Sequence, residues 1–345
     1  MIHSVSLWRF QVPFLRKLPI RDGELAQRQG LLIRWQTEAA NTVWSEVSPL
    51  PTYGHESLAA CEQQLKLFFA HQMDLIKRPS TQLEEALSEL YPSVQFGLET
   101  GLLLTQAKRF NDLTLLNLDN AAETRLPVCT LIDANDRTSC RGENKVNSPA
   151  IKVKVGRSAV ADDIRHINAI LENIDASQWL RLDANQSWSI AQAQTFFDGI
   201  ACERIEYIEE PLAQRSSYQD WSRKLSVPFA WDEYLREPDT IVRPVKGLAA
   251  LVVKPMLSGL GATLRFAEIA NKLDLKLIIS SAYETSITLN FLYRLAGALP
   301  NPQPPGLDTH QISQFDVLEQ ILFTARPSQK PLLTEDQLSW VATYS

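Results

Sequence analysis

The chain has few cysteines, few histidines and no long apolar run, and each shortage argues against a class of protein. Its four cysteines lie far apart without a CxxC pair, and its five histidines are scattered, so we expect neither a zinc site nor a disulfide framework. Reduced thiols in a cytoplasm are the simplest interpretation. No apolar run approaches the ~18 residues that a membrane-spanning helix needs.

The chain also lacks a dense basic stripe or tail. Its formal net charge is −6 and its pI is about 5.5, which argues against a nucleic-acid partner. The first residues, MIHSVSLWRFQVPF, alternate like a strand and have neither the cationic start nor the apolar core of a signal peptide. We therefore expect a soluble cytoplasmic protein. A hydrophobic content of 45% over 345 residues can fill one large domain or two.

From about residue 126 the sequence repeats a strand-and-helix rhythm. Seven apolar runs have strand character: LPVCTLI, IKVKV, WLRLDAN, IEYIEEP, PFAWDE, LAALVVKP and KLIISSA. Helical periodicity separates them, as in AVADDIRHINAILENI and SIAQAQTFFDGIA, with Ser158, Ser187 and Ser189 near the helix starts. With GLDTH as a candidate eighth strand, the pattern favours an α/β barrel. An open doubly wound sheet is the alternative, but no GxGxxG follows an early strand.

The two ends of the chain have a different pattern. VSLWRFQVP, GLLIRWQT and NTVWSEVSPLP have strand character, and helical stretches follow, which is typical of an α+β domain. The tail contains the apolar segment FDVLEQILF, so we expect it to pack back on that domain. We predict an N-terminal α+β domain at residues 1–115, a barrel at residues 116–310 and a returning C-terminal segment at residues 311–345.

One charged residue stands at or just after the end of each of five successive predicted strands. They are separated by 22 to 29 residues: Lys154, Asp183, Glu209, Asp232 and Lys254. The carboxyl ends of parallel barrel strands meet at one face, where active sites lie. One acidic residue there is usually a helix cap or a loop charge. Three in consecutive strands would repel one another unless they share a cation, and carboxylates without His or Cys suit Mg²⁺, or Mn²⁺.

Two of these positions leave a choice between neighbours. Glu209 is followed by Glu210, and only one of the pair can point into the barrel from a regular strand. Asp232 and Glu233 pose the same choice. We favour Glu209 and Asp232 as ligands, although parity alone does not settle it. Asn185 follows the first acidic residue closely and would orient a ligand or the substrate.

The lysines predict acid–base chemistry. Lys152 and Lys154 lie two apart on one strand and point the same way, which is costly inside a barrel unless they meet anions. An isolated strand-end lysine is usually a solvated charge, but neighbouring cations and partial desolvation would make Lys154 a usable base. Lys254 closes another apolar strand. We expect Lys154 and Lys254 to form a catalytic pair and Lys152 to bind the substrate.

Two further segments are candidates for substrate contact. SSAYETS follows the seventh strand, where Ser280 and Ser281 could hold a carboxylate at a helix N-terminus or could form an ordinary serine cap. Pro13–Gly23 is a basic segment between two N-terminal strands. It is either a surface loop or, if the first domain covers the barrel mouth, a lid.

KVKVG, LRLDAN, YIEEP, AWDE and LVVKP, in this order, resemble the enolase superfamily in its muconate-lactonizing branch. The resemblance covers essentially the whole chain. WSEVSPLP, PSVQFGLE, WDEYLREPD, SSAYETS and PGLDT are similar to the o-succinylbenzoate synthase family within it. This implies a modified TIM barrel, (β/α)₇β, under an α+β capping domain. It also implies that Asp183, Glu209 and Asp232 hold Mg²⁺, that Lys154 abstracts an α-proton and that Lys254 lies on the opposite face.

The activity that the resemblance implies is dehydration of a small-molecule cyclohexadiene carboxylate in menaquinone biosynthesis. Because a capping domain and a barrel form a complete unit, a monomer is a plausible state, although relatives include larger assemblies. An N-acyl amino acid racemase or dipeptide epimerase would need the same two lysines. A sugar-acid dehydratase would use a His–Asp pair, in which neither His166 nor His310 is placed. A binding protein that had lost the chemistry would be expected to lack one of the five charged residues.

The chain departs from the family pattern in two places. SGLGAT stands where members often have Gly-Gly after the second lysine, and Ile287 and Thr288 stand where many have glycine. Both departures lie beside the predicted pocket, so they bear on the substrate more than on the reaction class.

Overall fold

The computed structural model describes residues 2–20, 23–39, 41–54, 56–77, 81–106, 116, 126–132, 148–214, 218–237, 240–324 and 329–345. Its strands are β1 Ile2–Ile20, β2 Gly23–Thr37, β3 Thr42–Val47, β4 Thr130–Ile132, β5 Ala150–Lys154, β6 Trp179–Asp183, β7 Ile205–Glu209, β8 Phe229–Trp231, β9 Leu248–Val253, β10 Lys276–Ile279 and β11 Ser339–Tyr344. Its helices are α1 Leu58–Lys77, α2 Thr81–Ser88, α3 Pro92–Gln106, α4 Val160–Leu171, α5 Ile190–Asp198, α6 Tyr218–Lys224, α7 Pro255–Ser258, α8 Leu260–Lys272 and α9 Ser286–Ala298.

Seven parallel strands form the barrel wall in the order β10-β9-β8-β7-β6-β5-β4. The predicted α/β class is confirmed, but GLDTH is not a full eighth strand. Gly306 alone bridges to Ser280, and a 3₁₀ turn begins at Asp308. Three backbone hydrogen bonds close the wall: Cys129 N donates to Pro305 O at 2.9 Å, Gly306 N donates to Ile279 O at 2.9 Å, and Ser281 N donates to Gly306 O at 3.0 Å.

The N-terminal domain is an antiparallel sheet in the order β11-β1-β2-β3. Leu7, Ile33 and Trp35 are fully buried in the main core of the chain. Phe10 and Leu32 lie in a second cluster that includes Ile287 of α9 and the tail residues Phe315, Val317 and Leu338. Apolar residues of this sheet therefore contribute to two buried clusters. β11 pairs with β1, so the tail lies on this domain.

Helix α3 approaches the sheet through two glycines one helical turn apart. A Cβ on Gly97 would lie 2.3 Å from Val47 Cγ2, and one on Gly101 would lie 2.2 Å from Trp35 Nε1. Only glycine permits such a close helix–sheet contact. This contact packs α3 against β3, and the chain continues from the end of β3 toward the mouth of the barrel.

The predicted loop at Pro13–Gly23 is wrong in the structure. β1 continues to Ile20, β2 begins at Gly23, and Leu18 pairs with Leu25 after a register shift; residues 21 and 22 lie outside the described part. Phe14 and Leu18 are buried while Arg16 and Lys17 are exposed. The basic composition therefore reflected only the solvent face of a hairpin.

Other details refine the predicted elements. Ser189 caps α5 in a capping box with Gln192, whereas the N-cap of α4 is Ala159, one residue after Ser158.

Of residues 107–125 the structure describes only residue 116, so the predicted boundary at 115/116 lies outside the described residues and the division into domains stays a prediction. Within the described ranges, no helix is both long and apolar enough to cross a bilayer.

Candidate active site

The five predicted charged residues lie at one end of the barrel. Lys154, Asp183 and Glu209 are the last residues of β5, β6 and β7 and are aligned in register across the sheet. Asp232 and Lys254 directly follow β8 and β9. The regular spacing along the sequence has thus become a row of charges along one rim, as expected for parallel strands.

Lys152 lies at the centre of this row. Its Nζ is 2.9 Å from Asp183 Oδ2 and 2.6 Å from Glu209 Oε2. Burial alone would lower the pKa of Lys152, but the two carboxylates hold that pKa well above its ordinary value. Lys152 is therefore a fixed cation.

Lys154 has a different environment. Its Nζ donates to Asn185 Oδ1 at 3.0 Å, while Asp183 Oδ2 lies 3.8 Å away. Asn185 has a φ of 42°, in the left-handed region that Asn tolerates, and its own N–H donates to Asp183 Oδ1 at 3.0 Å. Asn185 Nδ2 donates to Glu233 Oε1 at 3.3 Å. A neutral amide thus orients the amine of Lys154.

Asp232 is fully buried between two cations. Lys254 Nζ donates to Asp232 Oδ2, and Nη1 of Arg236 donates to Asp232 Oδ1. Burial would raise the pKa of Asp232, but these cations hold that pKa well below its usual range. Burial would likewise lower the pKa of Lys254, which Asp232 and Glu209 instead hold above its ordinary value. Arg236 was not predicted as a site residue, and its signal in the sequence is its position one helical turn after Asp232.

The structure separates the two members of the Glu209–Glu210 pair. Glu209 Oε2 faces Lys152, whereas Glu210 turns away with a φ of 40°. Glu210 Oε1 accepts from Asp232 N and Tyr234 N, each at 2.8 Å. Glu210 thereby holds the loop that carries Asp232.

The carboxylates fit a hard dication in chemistry. Glu209 Oε1 and Glu233 Oε2 are buried without a hydrogen-bond partner, which is costly for a carboxylate. Burial, followed by the charge of Asp183, raises the pKa of Glu209 to about 8. A divalent cation would relieve both the orphaned oxygens and this crowding.

The described residues do not contain a ready-made metal cluster. Within those ranges, no three His, Cys, Asp or Glu side chains form a group that could hold an ion as they stand. Lysine and arginine groups occupy oxygens of Asp183, Glu209 and Asp232. Of the Asp232–Glu233 pair, Glu233 lines the cavity beside this rim and Asp232 lies beneath Lys254.

A cavity with about 650 Å³ of empty space opens at the rim. Lys152, Lys154 and Lys254 line it. Apolar and hydroxyl-bearing residues of β4, the barrel loops and the capping domain also line it: Leu131, Ser280, Ser281, Tyr283, Thr309, Leu50 and Tyr53. Leu50, Tyr53 and Tyr283 were not singled out from the sequence.

The SSAYETS segment lines the cavity but does not offer an open helix terminus. Ser281 Oγ lies 2.6 Å from Thr309 Oγ1, and Ser280 Oγ donates to Gly306 O at 3.4 Å. The N-cap of α9 is Thr285, and its N–H donates to Glu46 of β3 at 3.1 Å. The predicted anion position at this helix is therefore filled by a carboxylate of the protein itself, and neither serine is the cap.

Comparisons with known proteins show the family to which the chain belongs. The family model described as Enolase C-terminal domain-like matches residues 141–328, and the MenC, N-terminal domain model matches residues 2–104. An o-succinylbenzoate synthase from Yersinia pseudotuberculosis serotype O:3 (strain YPIII) is 31% identical over 347 residues, covering 99% of both chains. One from Yersinia pestis has the same identity and coverage.

Solved structures share the fold. An o-succinylbenzoate synthase from Thermosynechococcus elongatus BP-1, complexed with Mg in its active site, is 20% identical, with a TM-score of 0.66 and 96% coverage of each chain. A dipeptide epimerase from Enterococcus faecalis V583, complexed with Mg and L-Leu-L-Tyr, is 18% identical, with a TM-score of 0.75 and coverage of 98% of this chain and 99% of its own.

The barrel, the antiparallel sheet of the N-terminal domain and the match to the Enolase C-terminal domain-like family together define an enzyme of the enolase superfamily. Within that superfamily, the full-length matches show that the chain belongs to the o-succinylbenzoate synthase family, whose members are dehydratases of the carbon–oxygen lyase class. The resemblance seen in the sequence motifs is thereby confirmed.

Proposed function

We propose that this chain converts 2-succinyl-6-hydroxy-2,4-cyclohexadiene-1-carboxylate to o-succinylbenzoate by Mg²⁺-dependent syn-dehydration in menaquinone biosynthesis. The observation that carries the proposal is the unequal environment of three lysines at one cavity. Lys152 and Lys254 form close ion pairs with carboxylates, whereas Lys154 donates to the neutral amide of Asn185 at 3.0 Å and lies 3.8 Å from Asp183 Oδ2. Three lysines with different partners at one cavity are candidates for separate acid and base roles.

Asp183, Glu209 and Asp232 would hold the Mg²⁺, or Mn²⁺, with Glu233 beside them. The orphaned oxygens Glu209 Oε1 and Glu233 Oε2 support this donor set. A bound dication would supply charge stabilisation for the substrate carboxylate as its α-proton leaves. The reaction otherwise depends on the side chains of the chain itself.

Lys154, as a neutral amine, takes the α-proton. The amide oxygen of Asn185 fixes the direction of Nζ at 3.0 Å, closer than the carboxylate of Asp183, whose Oδ2 lies 3.8 Å away and is shared with Lys152. In a syn-dehydration the proton and the hydroxyl leave from the same face. The proton that Lys154 has taken can therefore return to the departing hydroxide, which leaves as water, and the aromatic ring forms.

Lys254 remains protonated and stabilises the negative charge of the enediolate from the other side. Its pairing with Asp232 keeps it a cation. Lys152 adds a second fixed positive charge for the substrate carboxylate. Ser280 and Ser281 line the cavity, and Leu50 and Tyr53 of the capping domain help to exclude water from it.

The test is the disappearance of the diene absorbance when the purified protein receives the cyclohexadiene substrate and Mg²⁺. We expect multiple turnovers, a block by EDTA and recovery on Mg²⁺ addition. Persistence of the diene with folded, Mg²⁺-saturated protein would contradict the proposal.

A racemase or epimerase of N-acyl amino acids or dipeptides is the second candidate, because Lys154 and Lys254 both line the cavity. Such a reaction needs each lysine to exchange protons on its own face. The ion pair of Lys254 with Asp232 favours the dehydratase. Incorporation of solvent deuterium into N-succinyl amino acids, without diene turnover, would favour the racemase.

We also propose a cytoplasmic protein that works as a monomer on a small-molecule carboxylate. Cys61, Cys129 and Cys202 are free thiols, which suits a reducing compartment.

A further inference from the structure

A buried carboxylate of the capping domain is bonded to the barrel at a point adjacent to the cavity. Glu46 of β3 is 1% exposed. Its oxygens accept from Thr285 N at 3.1 Å, Thr285 Oγ1 at 2.6 Å, Thr288 Oγ1 at 2.8 Å and Ser48 Oγ at 2.7 Å. Four donors, one of them at the positive end of a helix dipole, stabilise this buried charge.

These contacts join the start of α9 to the capping domain. The N-cap residue Thr285 makes no side-chain cap bond to its own helix and instead donates to Glu46, 239 positions away in the chain. Thr288, which stands where many family members have glycine, supplies another of the hydrogen bonds. The position of the α9 terminus therefore depends on the capping domain.

The segment before α9 is short, strained and part of the cavity wall. Ser280, Ser281 and Tyr283 all line the cavity. Tyr283 has a φ of 66°, which is costly for an aromatic residue and persists only where surrounding contacts impose it. Glu284 Oε2 accepts from Ala282 N at 2.6 Å, so the segment forms a tight turn that ends at Thr285.

The other wall is connected to the same carboxylate. Ser48, which donates to Glu46, lies two residues before Leu50. The buried Arg28 donates to Pro49 O at 2.7 Å and to Ser48 O, so this stretch is held on both sides. Leu50 and Tyr53 then line the cavity.

We infer that Glu46 is a positioning residue that fixes the Ser280–Tyr283 wall and the Leu50–Tyr53 wall relative to each other, and so sets the affinity for the non-reacting part of the substrate. It does not touch the reacting atoms. The inference deepens the proposed dehydratase and rests on it for its kinetic consequence, whereas its structural consequence is independent of the reaction.

Glu99 offers a matched control. It is a carboxylate on α3 of the capping domain that bonds the start of a barrel helix, α8, with Oε2 accepting from Leu260 N at 2.8 Å and Gly261 N at 3.4 Å. None of Glu99, Leu260 and Gly261 lines the cavity. Glu99→Gln therefore weakens an interdomain contact without altering either wall.

The experiment compares Glu46→Gln, Thr288→Val and Glu99→Gln by steady-state kinetics and by amide hydrogen exchange without substrate. For Glu46→Gln we expect KM to rise about tenfold with kcat within about threefold, because the lost contacts position a binding wall rather than the reacting groups. Exchange should accelerate at least about tenfold in peptides covering residues 280–286. Thr288→Val should raise KM about two- to threefold, since it removes one of four hydrogen bonds.

For Glu99→Gln we expect faster exchange at the start of α8 and a KM within about twofold of the parent. Equal KM increases in Glu99→Gln and Glu46→Gln would overturn the inference, because they would indicate general domain docking. A folded Glu46→Gln variant with the parental KM and exchange would also overturn it. If Glu46→Gln does not fold, Thr288→Val decides by the same two measurements. If the parent protein does not consume the diene, the proposed function fails while the exchange data still test the positioning role.

Discussion

Replacing Asn185 with aspartate should change the pH dependence of the reaction more than any other single substitution beside Lys154. The side chains have nearly the same shape, but the aspartate places a negative charge where Asn185 Oδ1 now lies, 3.0 Å from Lys154 Nζ. This charge stabilises the ammonium form, which cannot accept the α-proton. Activity should therefore fall at neutral pH and recover as the pH rises.

The magnitude follows from the distance and the partial exposure of the pair. Two unit charges about 4 Å apart interact by roughly 4 kcal/mol at an effective dielectric constant of 20. The side chain of Lys154 is 20% exposed, and solvent screening reduces this value. We expect the rise of kcat with increasing pH to occur about 1–2 pH units higher than in the parent protein. This shift is equivalent to about a 10- to 100-fold loss of kcat at neutral pH.

The assay is the pH–rate profile for diene loss at saturating Mg²⁺, with Asn185→Ala as the control. The alanine variant loses the orienting hydrogen bond without gaining a charge, so its kcat should fall while its profile keeps the parental pH dependence. An Asn185→Asp profile that falls uniformly at all pH values, parallel to Asn185→Ala, would refute the argument that a neutral acceptor is needed beside the base.

Three other predictions concern the metal, the buried Arg181 of β6 and the buried His310. Asp183→Asn should abolish turnover at any practical Mg²⁺ concentration, and an unchanged Mg²⁺ dependence would remove Asp183 from the ligand set. Arg181→Met should lower the free energy of unfolding in urea by about 3 kcal/mol, because Arg181 is buried and donates to Glu206 at 2.7 Å and to Pro304 O at 2.6 Å. An unfolding midpoint equal to that of the parent would contradict this. Burial lowers the pKa of His310 to about 4, below the value of about 6.5 expected in the unfolded chain. The neutral, buried imidazole therefore makes its full contribution to the free energy of unfolding above about pH 6.5, and that contribution is lost as the pH falls toward 4. His310→Gln should flatten that pH dependence, and identical slopes for both proteins would refute it.

The spacing of charged residues was sufficient to predict the row along the barrel rim. A parallel strand–helix repeat returns the chain to the same rim at each strand end, so Lys154 and Asp183 become neighbours without any knowledge of tertiary contacts. Sequence reasoning could not predict which lysine pairs with which carboxylate. Lys254 and Arg236 meet Asp232 only because the loop after β8 bends around Glu210, whose left-handed backbone has no signature in a Glu-Glu pair.

Contacts between the domains were also beyond the sequence patterns. The hydrogen bond from Thr285 to Glu46 joins residues 239 positions apart, and each looked locally like an ordinary strand or cap residue. The eighth strand was overestimated, because a turn residue such as Gly306 needs only one bridge to close the wall. The hairpin at Pro13–Gly23 was missed because its charged side chains face solvent while Phe14 and Leu18 are buried.

The most direct test of the central claim is the turnover of Lys154→Arg beside Lys276→Arg. Arginine keeps the positive charge but cannot act as a base. Lys276 is an ion-paired lysine on β10, at the start of its strand and away from the cavity. If Lys154 takes the α-proton, Lys154→Arg should lose at least about 1,000-fold in kcat with its fold and Mg²⁺ binding retained, while Lys276→Arg stays within about threefold of the parent. A Lys154→Arg variant that turns over the diene at near-parental rates would contradict the account.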